Sequence, residues 1–287
     1  MKILVTGGTG LLGSRIAREA ARFADVVPAG HRASGKGGAS VALDIENADE
    51  VRRTIVDGGF THVVHSAAIR DPEECLADPA RAYRVNAVAV EYIAAACREA
   101  GATLVHVSTD YVFPGTTPPY REECRPQPIN VYGRTKLAGE FAARAVDGCL
   151  VTRVPALWSA DPEDARSPVK GFVEKLRAGK ALPVENTLVR HFTLADDAAV
   201  GIAFCVEKKL SGVIHIAAGE SQTKADFVRA VARHFGCDPG LVVDAGVSGG
   251  GDRRPKDSTL DTSLYRSHGG PHIRGMGEVF ADLAAGA

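Results

Sequence analysis

The sequence has few of the features that mark membrane, secreted or nucleic-acid-binding proteins. No apolar run approaches the ~18 residues that span a bilayer. A formal net charge of −1 provides no electrostatic attraction for nucleic acid or for an anionic membrane. The six cysteines form no CxxC pair, and the nine histidines include no HExxH motif. A disulfide framework and a metal site are therefore not expected, and a reducing cytoplasm fits the composition best.

The rest of the composition is that of a globular protein with a large core. The chain has 287 residues, 45% of them apolar and 24% charged, which suffices for one domain or for a domain with an added lobe. In the first half, short apolar runs alternate with helical spacing, which predicts a Rossmann-type, doubly wound α/β sheet. The predicted strands are KILVT, DVVPA, SVALD, THVVHSA, a run beginning VHVST, and CLVTRVP, and the predicted helices span about 11–23, 46–57, 79–100 and 131–145.

The pattern changes after Pro155. We expect a first domain over residues 1–155 and a smaller lobe mainly over 156–287, with parts of 190–215 returning to the first domain. Residues 156–189 are expected to be mostly loop with one helix, and the glycine-rich residues 246–258 are expected to be loop. Further helices are predicted at VKGFVEKLRAG, DDAAVGIAFCVEKK and KADFVRAVARHFG, and a further strand at GVIHIA.

A glycine-rich turn, TGGTGLLG, follows the first predicted strand and opens the first helix. Gly7, Gly10 and Gly13 let the backbone turn tightly and approach a pyrophosphate, while the helix N-terminus offers free N–H donors. A purely structural turn is the alternative, but the position between strand and helix favours dinucleotide binding. The remaining predicted contacts in this turn are Thr9, Leu11 and Leu12.

The segment after the second strand indicates which dinucleotide binds. NAD-specific folds often carry an acid there to hold the ribose 2′-hydroxyl. Here the segment reads GHRAS, with Arg32 and no acid. A guanidinium suits a 2′-phosphate, so NADP(H) is preferred over NAD(H), with a solvated surface arginine as the alternative. Further cofactor contacts are predicted after the third and fourth strands, at Asp44, Ile45, Ala67 and Ala68.

Polar residues end the fifth strand, in the stretch VHVSTDYVFPG. Downstream, NVYGRTKLAGE places Tyr132 and Lys136 four residues apart, and therefore on one face of a helix. An adjacent ammonium lowers the pKa of a tyrosine from its usual ~10, which makes the phenol a usable proton donor near neutral pH. The spacing of Tyr132 and Lys136 is common by chance. Its combination with the upstream glycine turn and with Ser108 and Thr109 makes these residues a candidate catalytic set.

Three motifs, TGGTGLLG, the Ser-Thr strand end and YGRTK, together resemble the extended short-chain dehydrogenase/reductase superfamily. STDYVFPG and NVYGRTKLAGE are most similar to the dTDP-4-dehydrorhamnose reductase branch, and RPKDSTLDTSLY, residues 254–265, resembles a segment of that branch's C-terminal lobe. The resemblance covers most of the chain. It implies an NADPH-dependent reductase of the 4-keto group of a nucleotide-linked 6-deoxyhexose, as in dTDP-rhamnose biosynthesis, and it is compatible with a homodimer.

The resemblance assigns roles to the polar residues. Thr109 would hydrogen-bond the substrate carbonyl, and Tyr132 would deliver a proton to it. Lys136 would bind the nicotinamide ribose and hold down the pKa of Tyr132. Ser108 would assist or cap the strand, and Asn86 would support the active site.

Substrate contacts follow from the same resemblance. They are implied at Asp110, Tyr111, Phe113, Trp158 and Arg254, with Arg190 and His191 as further candidates. Core packing is the alternative for Tyr111 and Phe113, lobe packing for Trp158, and fastening of the lobe for Arg254. Sugar-nucleotide dehydratases carry an Asp-Glu pair where this chain has Asp110 and Tyr111, which argues against elimination of water, because elimination needs a second acid and base.

Two departures leave the function open. Glu73-Glu74-Cys75-Leu76 replaces the Asp-Lys-Ala-Glu run common in rhamnose reductases, so the sugar is not identified. TPPYREE and YGRTKLAGE also resemble the regulatory subunit of methionine adenosyltransferase, a NADP-binding partner that is not a catalyst. A sugar-nucleotide epimerase is a third alternative, but Arg32 disfavours it because epimerases usually keep NAD tightly bound.

Overall fold

A computed structural model describes residues 1–31, 41–246 and 253–285. Its strands, in chain order, are β1 (Lys2–Thr6), β2 (Asp25–Gly30), β3 (Val41–Ala42), β4 (His62–His65), β5 (Thr103–Thr109), β6 (Leu150–Val154), β7 (Ala156–Trp158), β8 (Leu182–Glu185), β9 (Val189–Leu194), β10 (Gly212–His215), β11 (Ser221–Thr223) and β12 (Val242–Ala245). Seven of them form a parallel sheet in the order β10-β6-β5-β4-β1-β2-β3. The predicted Rossmann-type α/β sheet is therefore confirmed.

Helices alternate with these strands along most of the chain, and two helices follow the last strand. The helices are α1 (Leu11–Ala20), α2 (Ala48–Arg52), α3 (Pro72–Ala77), α4 (Pro79–Tyr83), α5 (Ala89–Ala100), α6 (Val131–Ala143), α7 (Pro168–Arg177), α8 (Ala195–Glu207), α9 (Lys224–His234), α10 (Ser263–Ser267) and α11 (Met276–Ala285). Two π-helical turns, Arg53–Asp57 and Arg84–Val88, continue α2 and precede α5. No helix of the described residues combines the length and the apolar character needed to cross a membrane.

The sheet separates two apolar cores, which explains why its strands are apolar without alternation. Along β1, Ile3 and Val5 point into the core formed with α1 and α8. Leu4 points to the opposite face, into the core formed with α2, α5 and α6. All three side chains are fully buried. Both faces are thus covered, and the carboxyl ends of the strands form the edge where α/β proteins bind ligands.

The second lobe is built around β7, β8, β9, β11 and β12. They form a three-stranded sheet, β11-β9-β7, and a two-stranded sheet, β12-β8. Helices α7, α9 and α11 complete its core around Trp158 and Phe227. The expectation of loop with one helix over 156–189 was incomplete, because β7 and β8 are only three and four residues long and β8 contains Pro183.

Two later parts of the chain pack with the large sheet. Within residues 190–215, β10 joins that sheet beside β6, and α8 packs against α1. A C-terminal segment that was not expected there also contributes, because Tyr265 and Ile273 lie in the same core as residues of α1 and α8. Residues near the end of the chain therefore help to build the first lobe.

Candidate active site

The glycine turn between β1 and α1 is shaped for close approach. Gly7 has a left-handed backbone (φ +69°), and a Cβ there would lie 2.7 Å from the backbone nitrogen of Ala67. A Cβ on Gly13 would lie 2.2 Å from the carbonyl oxygen of Gly7. The Gly10 N–H donates to that same oxygen at 2.8 Å, and α1 begins at the next residue. The turn therefore presents the N-terminus of α1 at the carboxyl edge of the sheet, where a pyrophosphate can be bound.

A cleft of about 300 Å³ opens beside this turn. It brings together half of the cofactor residues expected from the sequence, and its position fits an adenine nucleotide, because it lies at the ends of β1, β2 and β4. The Asp44 carboxylate already accepts the N–H of Glu46 at 3.0 Å. Arg32 lies outside the described residues, so the preference for NADP(H) stays a prediction. The sequence-predicted residues lining the cleft are Gly7, Thr9, Asp44, Ile45, Ala67 and Ala68.

Thr109 and Tyr132 meet at the end of β5. Tyr132 lies near the Thr109 hydroxyl, and the Thr109 hydroxyl donates to Asp110 Oδ1 at 3.0 Å. The Tyr132 ring makes an edge contact with Tyr111, with 5.7 Å between ring centroids. The Asn130 side chain caps the start of α6 by accepting the Gly133 N–H at 2.7 Å, which fixes the first turn of the helix that carries Tyr132.

The structure does not show the expected effect of Lys136 on Tyr132. Burial raises the pKa of Tyr132 well above its ordinary value, and the nearby Asp110 adds to this rise. The Lys136 ammonium donates instead to the carbonyl of Val107 at 2.7 Å. Burial lowers the pKa of Lys136 to about 8. Tyr132 is therefore a neutral phenol near neutral pH, which is the form that donates a proton.

Two buried histidines extend from Lys136 across the sheet. His106 Nε2 lies 3.4 Å from Lys136 Nζ. The ring of His106 stacks on that of His65, its register partner on β4, at 5.4 Å between centroids. His65 Nδ1 in turn lies 2.7 Å from the Thr6 hydroxyl. We call Thr6, His65, His106 and Lys136 the histidine–lysine row; the link of the two histidines to Lys136 was not predicted from the sequence.

Burial keeps both histidines of this row neutral. Removal from water lowers the pKa of His65 to about 3 and that of His106 well below its usual range, and the Lys136 charge adds to both effects. His65 Nε2 and His106 Nδ1 have no hydrogen-bond partner among the described residues. The row therefore carries one titratable cation, the Lys136 ammonium, among neutral polar groups.

Ser108 belongs to a buried ion pair. Its hydroxyl donates to Glu140 Oε1 at 2.6 Å, and Arg153 binds both carboxylate oxygens of Glu140 at 2.9 and 2.8 Å. Glu140 and Arg153 are no more than 1% exposed. Of the two roles expected for Ser108, its bond to Glu140 supports the structural one. A charged residue inside the apolar strand LVTRV was the signal for this pair.

Asn86 braces the two segments that flank the site. Its side chain accepts the Ile69 N–H and donates to the Ile69 carbonyl, both at 2.9 Å. It also donates to the Thr135 hydroxyl at 3.1 Å. Asn86 lies in the π-helical turn Arg84–Val88, a distortion found frequently at functional sites. It therefore ties the segment after β4 to the helix that carries Lys136.

Asp110 fastens the second lobe. Its carboxylate accepts the hydroxyl groups of Thr109 and of Ser258, a fully buried residue of the C-terminal segment. Burial raises the pKa of this carboxyl group. Both oxygens therefore have internal partners, in contrast to the substrate contact implied by the resemblance. Ser258 was not singled out from the sequence, because its partner is distant along the chain.

Phe113 and Trp158 lie in apolar cores. Phe113 is fully buried and stacks on Tyr120, with 4.4 Å between centroids. Trp158 is 1% exposed, packs edge-on against Phe227, and donates its indole N–H to the Phe192 carbonyl at 3.2 Å. The implied contacts of these two residues with the sugar are therefore corrected to packing, the alternative stated for each.

Positive charge collects beside Tyr111. Arg190 is buried, donates to the Tyr111 hydroxyl, and holds its guanidinium 5.5 Å from the Tyr111 ring centroid. Its Nε has no partner among the described residues. Burial lowers the pKa of Lys224, and Arg254 and Arg190 lower it further. We call Arg190, Lys224 and Arg254 the cation cluster; only Glu73 reaches it as a described ion-pair partner, 3.3 Å from Arg254.

His191 has a structural position behind this cluster. Its ring nitrogens lie 2.9 Å from the Glu220 carbonyl and 3.3 Å from the Leu260 carbonyl, and its Nε2 also lies 3.1 Å from the Leu260 N–H. Arg190 and His191 are neighbours on β9, where successive side chains point to opposite faces. Arg190 is thus directed to Tyr111, while His191 holds the segments around Glu220 and Leu260.

Comparison with known proteins identifies the family. The model of the RmlD substrate binding domain family matches residues 1–284, so the chain belongs to this family. Methionine adenosyltransferase 2 subunit beta from Bos taurus is 32% identical over 279 residues, which cover 93% of this chain and 82% of the bovine protein.

Solved structures agree with this assignment. A dTDP-4-dehydrorhamnose reductase from Clostridium acetobutylicum has a TM-score of 0.87 and 27% identity, covering 99% of this chain and 100% of that one. The fold also matches that of dTDP-4-dehydrorhamnose reductase from Bacillus anthracis in complex with NADP, with a TM-score of 0.87, 24% identity, and coverage of 100% and 99%. These similar structures are thus those of reductases, one of them solved with NADP.

Proposed function

We propose that this protein is an NADPH-dependent reductase of the 4-keto group of a nucleotide-linked 6-deoxyhexose. The observation that carries the proposal is that Tyr132 lies near Thr109, at the carboxyl end of β5, with Lys136 one turn further along α6. The reductases of similar structure support the same reaction class. Dehydration remains disfavoured, because Tyr111 stands where an acid would be needed, and its phenol is engaged by Arg190.

The chain's own groups suit protonation of a reduced carbonyl. When bound, the dinucleotide supplies the hydride. Burial raises the pKa of the Tyr132 phenol. The phenol therefore keeps its proton until a strongly basic alkoxide oxygen develops beside it. Thr109 would position that oxygen through its hydroxyl group, which lies near Tyr132. Lys136 would hold the nicotinamide ribose and thereby align the cofactor with Tyr132.

The cation cluster supports a nucleotide-sugar substrate. A diphosphate needs several donors of positive charge, and arginine binds phosphate oxygens in pairs. Arg190 and Lys224 are held in the second lobe, and Arg254 faces Glu73 of the first. The cluster lies beside Tyr111, whose ring contacts Tyr132. A sugar attached to a diphosphate bound there would reach the proton donor.

NADPH oxidation tests this proposal. The protein is mixed with NADPH and a dTDP-4-keto-6-deoxyhexose prepared freshly by a dehydratase, with and without an epimerase. Oxidation that requires both enzymes identifies a rhamnose-pathway reductase, and oxidation with the dehydratase product alone identifies a different 6-deoxyhexose. If NADPH binds but is oxidised with neither substrate, the proposed substrate class is wrong.

A non-catalytic regulatory subunit is the second candidate. It is favoured by the similarity to methionine adenosyltransferase 2 subunit beta over 93% of the chain. Size-exclusion chromatography with a methionine adenosyltransferase catalytic subunit tests it. Co-elution without NADPH oxidation would support this candidate, and separate elution with substrate-dependent oxidation would reject it.

A further inference from the structure

An arginine of the second lobe lies on the glycine turn. Arg166 belongs to the loop between β7 and α7, yet its Nη1 donates to the Ser14 hydroxyl of α1 at 2.8 Å. The same atom lies 3.4 Å from the Gly10 carbonyl oxygen and 3.5 Å from that of Thr9. These last two contacts are long for hydrogen bonds. One corner of the guanidinium therefore faces the turn with neutral partners, the Ser14 hydroxyl and two carbonyl groups at long distances.

The other side of this guanidinium is fixed. Arg166 binds Asp164 through Nε and Nη2, at 2.8 and 2.9 Å. Asp164 is 9% exposed, and Arg15 of α1 also binds it, at 3.1 Å. The bonds from Arg166, with those from Arg15, hold the pKa of Asp164 far below its usual range, so the carboxylate stays charged. The Arg166 side chain is thus oriented in advance, in contrast to a freely moving surface arginine.

The anchor is itself part of a buried network. Arg15 is 8% exposed and donates to the Leu11 carbonyl at 2.8 Å, to Asp196 at 2.7 Å and to Ser159 at 2.9 Å. On the opposite side of the turn, Arg70 follows the cofactor residues Ala67 and Ala68 and donates to the Arg166 carbonyl at 3.0 Å. The position of Arg166 is therefore set from both lobes.

We propose that Arg166 is a cofactor-binding residue that contacts the pyrophosphate from the second lobe. The N-terminus of α1 attracts a pyrophosphate, and a guanidinium held beside it would exchange weak carbonyl contacts for charged phosphate oxygens. This inference rests on the cofactor part of the proposed function and deepens it. It also makes cofactor affinity depend on the second lobe, which a glycine turn alone would not.

The test measures dissociation constants of NADPH and NADH by fluorescence titration. Arg166→Gln is expected to raise both dissociation constants about tenfold. This is at the lower end of the range for a hydrogen bond to a charged group, because the side chain is partly exposed. Equal losses are expected because both dinucleotides contain the same pyrophosphate. Arg177→Gln, an exposed arginine at the end of α7, makes the same charge change away from the turn and is expected to leave both constants unchanged.

Two further variants separate this role from others. Arg166→Lys keeps the charge but not the fork to Asp164, so we expect a loss smaller than that of Arg166→Gln. Arg32→Ala is expected to weaken NADPH far more than NADH, since only NADPH has a 2′-phosphate. Thermal unfolding without ligand checks that each variant is folded. If Arg166→Gln is not folded, Arg166→Lys takes its place, and it is expected to lose affinity for both dinucleotides.

The outcomes that contradict the proposal are distinct. Wild-type affinity of a folded Arg166→Gln for both dinucleotides would overturn the assignment of Arg166 alone. A loss confined to NADPH would also overturn it, because Arg166 would then act on the 2′-phosphate. A wild-type protein that binds neither dinucleotide would overturn the proposed function itself, and this inference with it.

Discussion

The histidine–lysine row of the first lobe and the cation cluster beside Tyr111 differ in the charge that they carry. In the row, burial keeps His65 and His106 neutral and weakens the proton affinity of Lys136. In the cluster, two arginines and a lysine approach each other, with Glu73 as the described acid that pairs with them. The positive charges repel one another, which is unfavourable unless an anion offsets the repulsion.

This difference predicts that the two clusters affect different steps, proton transfer and ligand binding. Groups whose protonation is governed by burial suit proton transfer, whereas fixed positive charges suit binding of an anionic ligand. We therefore expect changes at Tyr132 and in the histidine–lysine row to act on turnover and on the response to pH. Changes in the cation cluster are expected to act on substrate affinity. Each prediction below tests one side of this comparison.

The largest effect is expected for Tyr132→Phe. Loss of the proton donor should lower kcat of the proposed reduction by ~100-fold or more, the usual range for general acid catalysis. The ring and its contact with Tyr111 are retained, so the dissociation constant of NADPH should change little. Steady-state kinetics and cofactor titration measure the two effects. Tyr83→Phe, an exposed tyrosine on α4, is the matched control; near wild-type turnover by Tyr132→Phe would show that Tyr132 is not the proton donor.

Lys224→Gln should change affinity and leave turnover intact. Loss of one cation is expected to raise KM for the nucleotide sugar, and the dissociation constant of free dTDP, by about tenfold. The effect on kcat should be small, because Lys224 belongs to the cation cluster and not to the proton-donor site. Kinetics and calorimetric titration of dTDP measure both. Lys180→Gln, exposed in the same lobe, serves as the control. A fall in kcat with KM unchanged would contradict the division between the two clusters.

Acid should destabilise the row through His65. Its folded pKa of about 3 lies below the ordinary value of 6.5, so the unfolded chain binds the proton more tightly. Stability from this group is therefore complete above pH 6.5 and falls as the pH drops toward 3. The slope is at most ~1.4 kcal/mol per pH unit.

Urea unfolding of His65→Gln at several pH values checks this expectation. The variant lacks the titrating group, so its free energy of unfolding should decline less steeply below pH 6.5 than that of the wild type. His268→Gln, an exposed histidine just after α10, is the matched control. Parallel curves for His65→Gln and the wild type would show that His65 does not contribute to the acid response.

The smallest effect is expected at Glu73. Its pair with Arg254 joins the two lobes, and both side chains are substantially exposed, so the pair contributes at most ~1 kcal/mol to stability. Glu73→Gln should leave the unfolding temperature nearly unchanged while increasing affinity for free dTDP by up to about fivefold, because Arg254 loses its acidic partner. Glu74→Gln, the neighbouring acid, is the control. Weaker dTDP binding by Glu73→Gln would place Glu73, rather than the cation cluster, at the ligand.

Predictions from local sequence were accurate wherever a few neighbouring residues determine the structure. The turn at Gly7 and Gly13 could be predicted because a Cβ at either position would overlap the backbone. The spacing of Tyr132 and Lys136 indicated a shared helix face, and α6 spans both. The helix boundaries near Asn130 and Ser167 follow from side chains that accept backbone N–H groups.

Contacts between distant segments could not be predicted in this way. The bond between Asp110 and Ser258 joins residues 148 positions apart. Aromatic residues such as Phe113 and Trp158 occur in sugar pockets as well as in apolar cores. Only the packing in the folded protein shows which of these two environments each residue occupies. The expected influence of Lys136 on Tyr132 was derived from spacing, whereas the observed bond of Lys136 to Val107 depends on how α6 lies against β5.

The sequence by itself determined the parallel sheet, the dinucleotide turn and the residue types at the candidate active site, because strand periodicity, glycine geometry and helix spacing are local properties. The tertiary structure alone decided which titratable and charged side chains lie near one another. It placed His65 beside His106, Arg190 beside Lys224 and Arg254, and Arg166 over the glycine turn. Proton affinity and anion binding depend on burial and on distances between charges, and both arise only when strands and loops distant in the chain pack together.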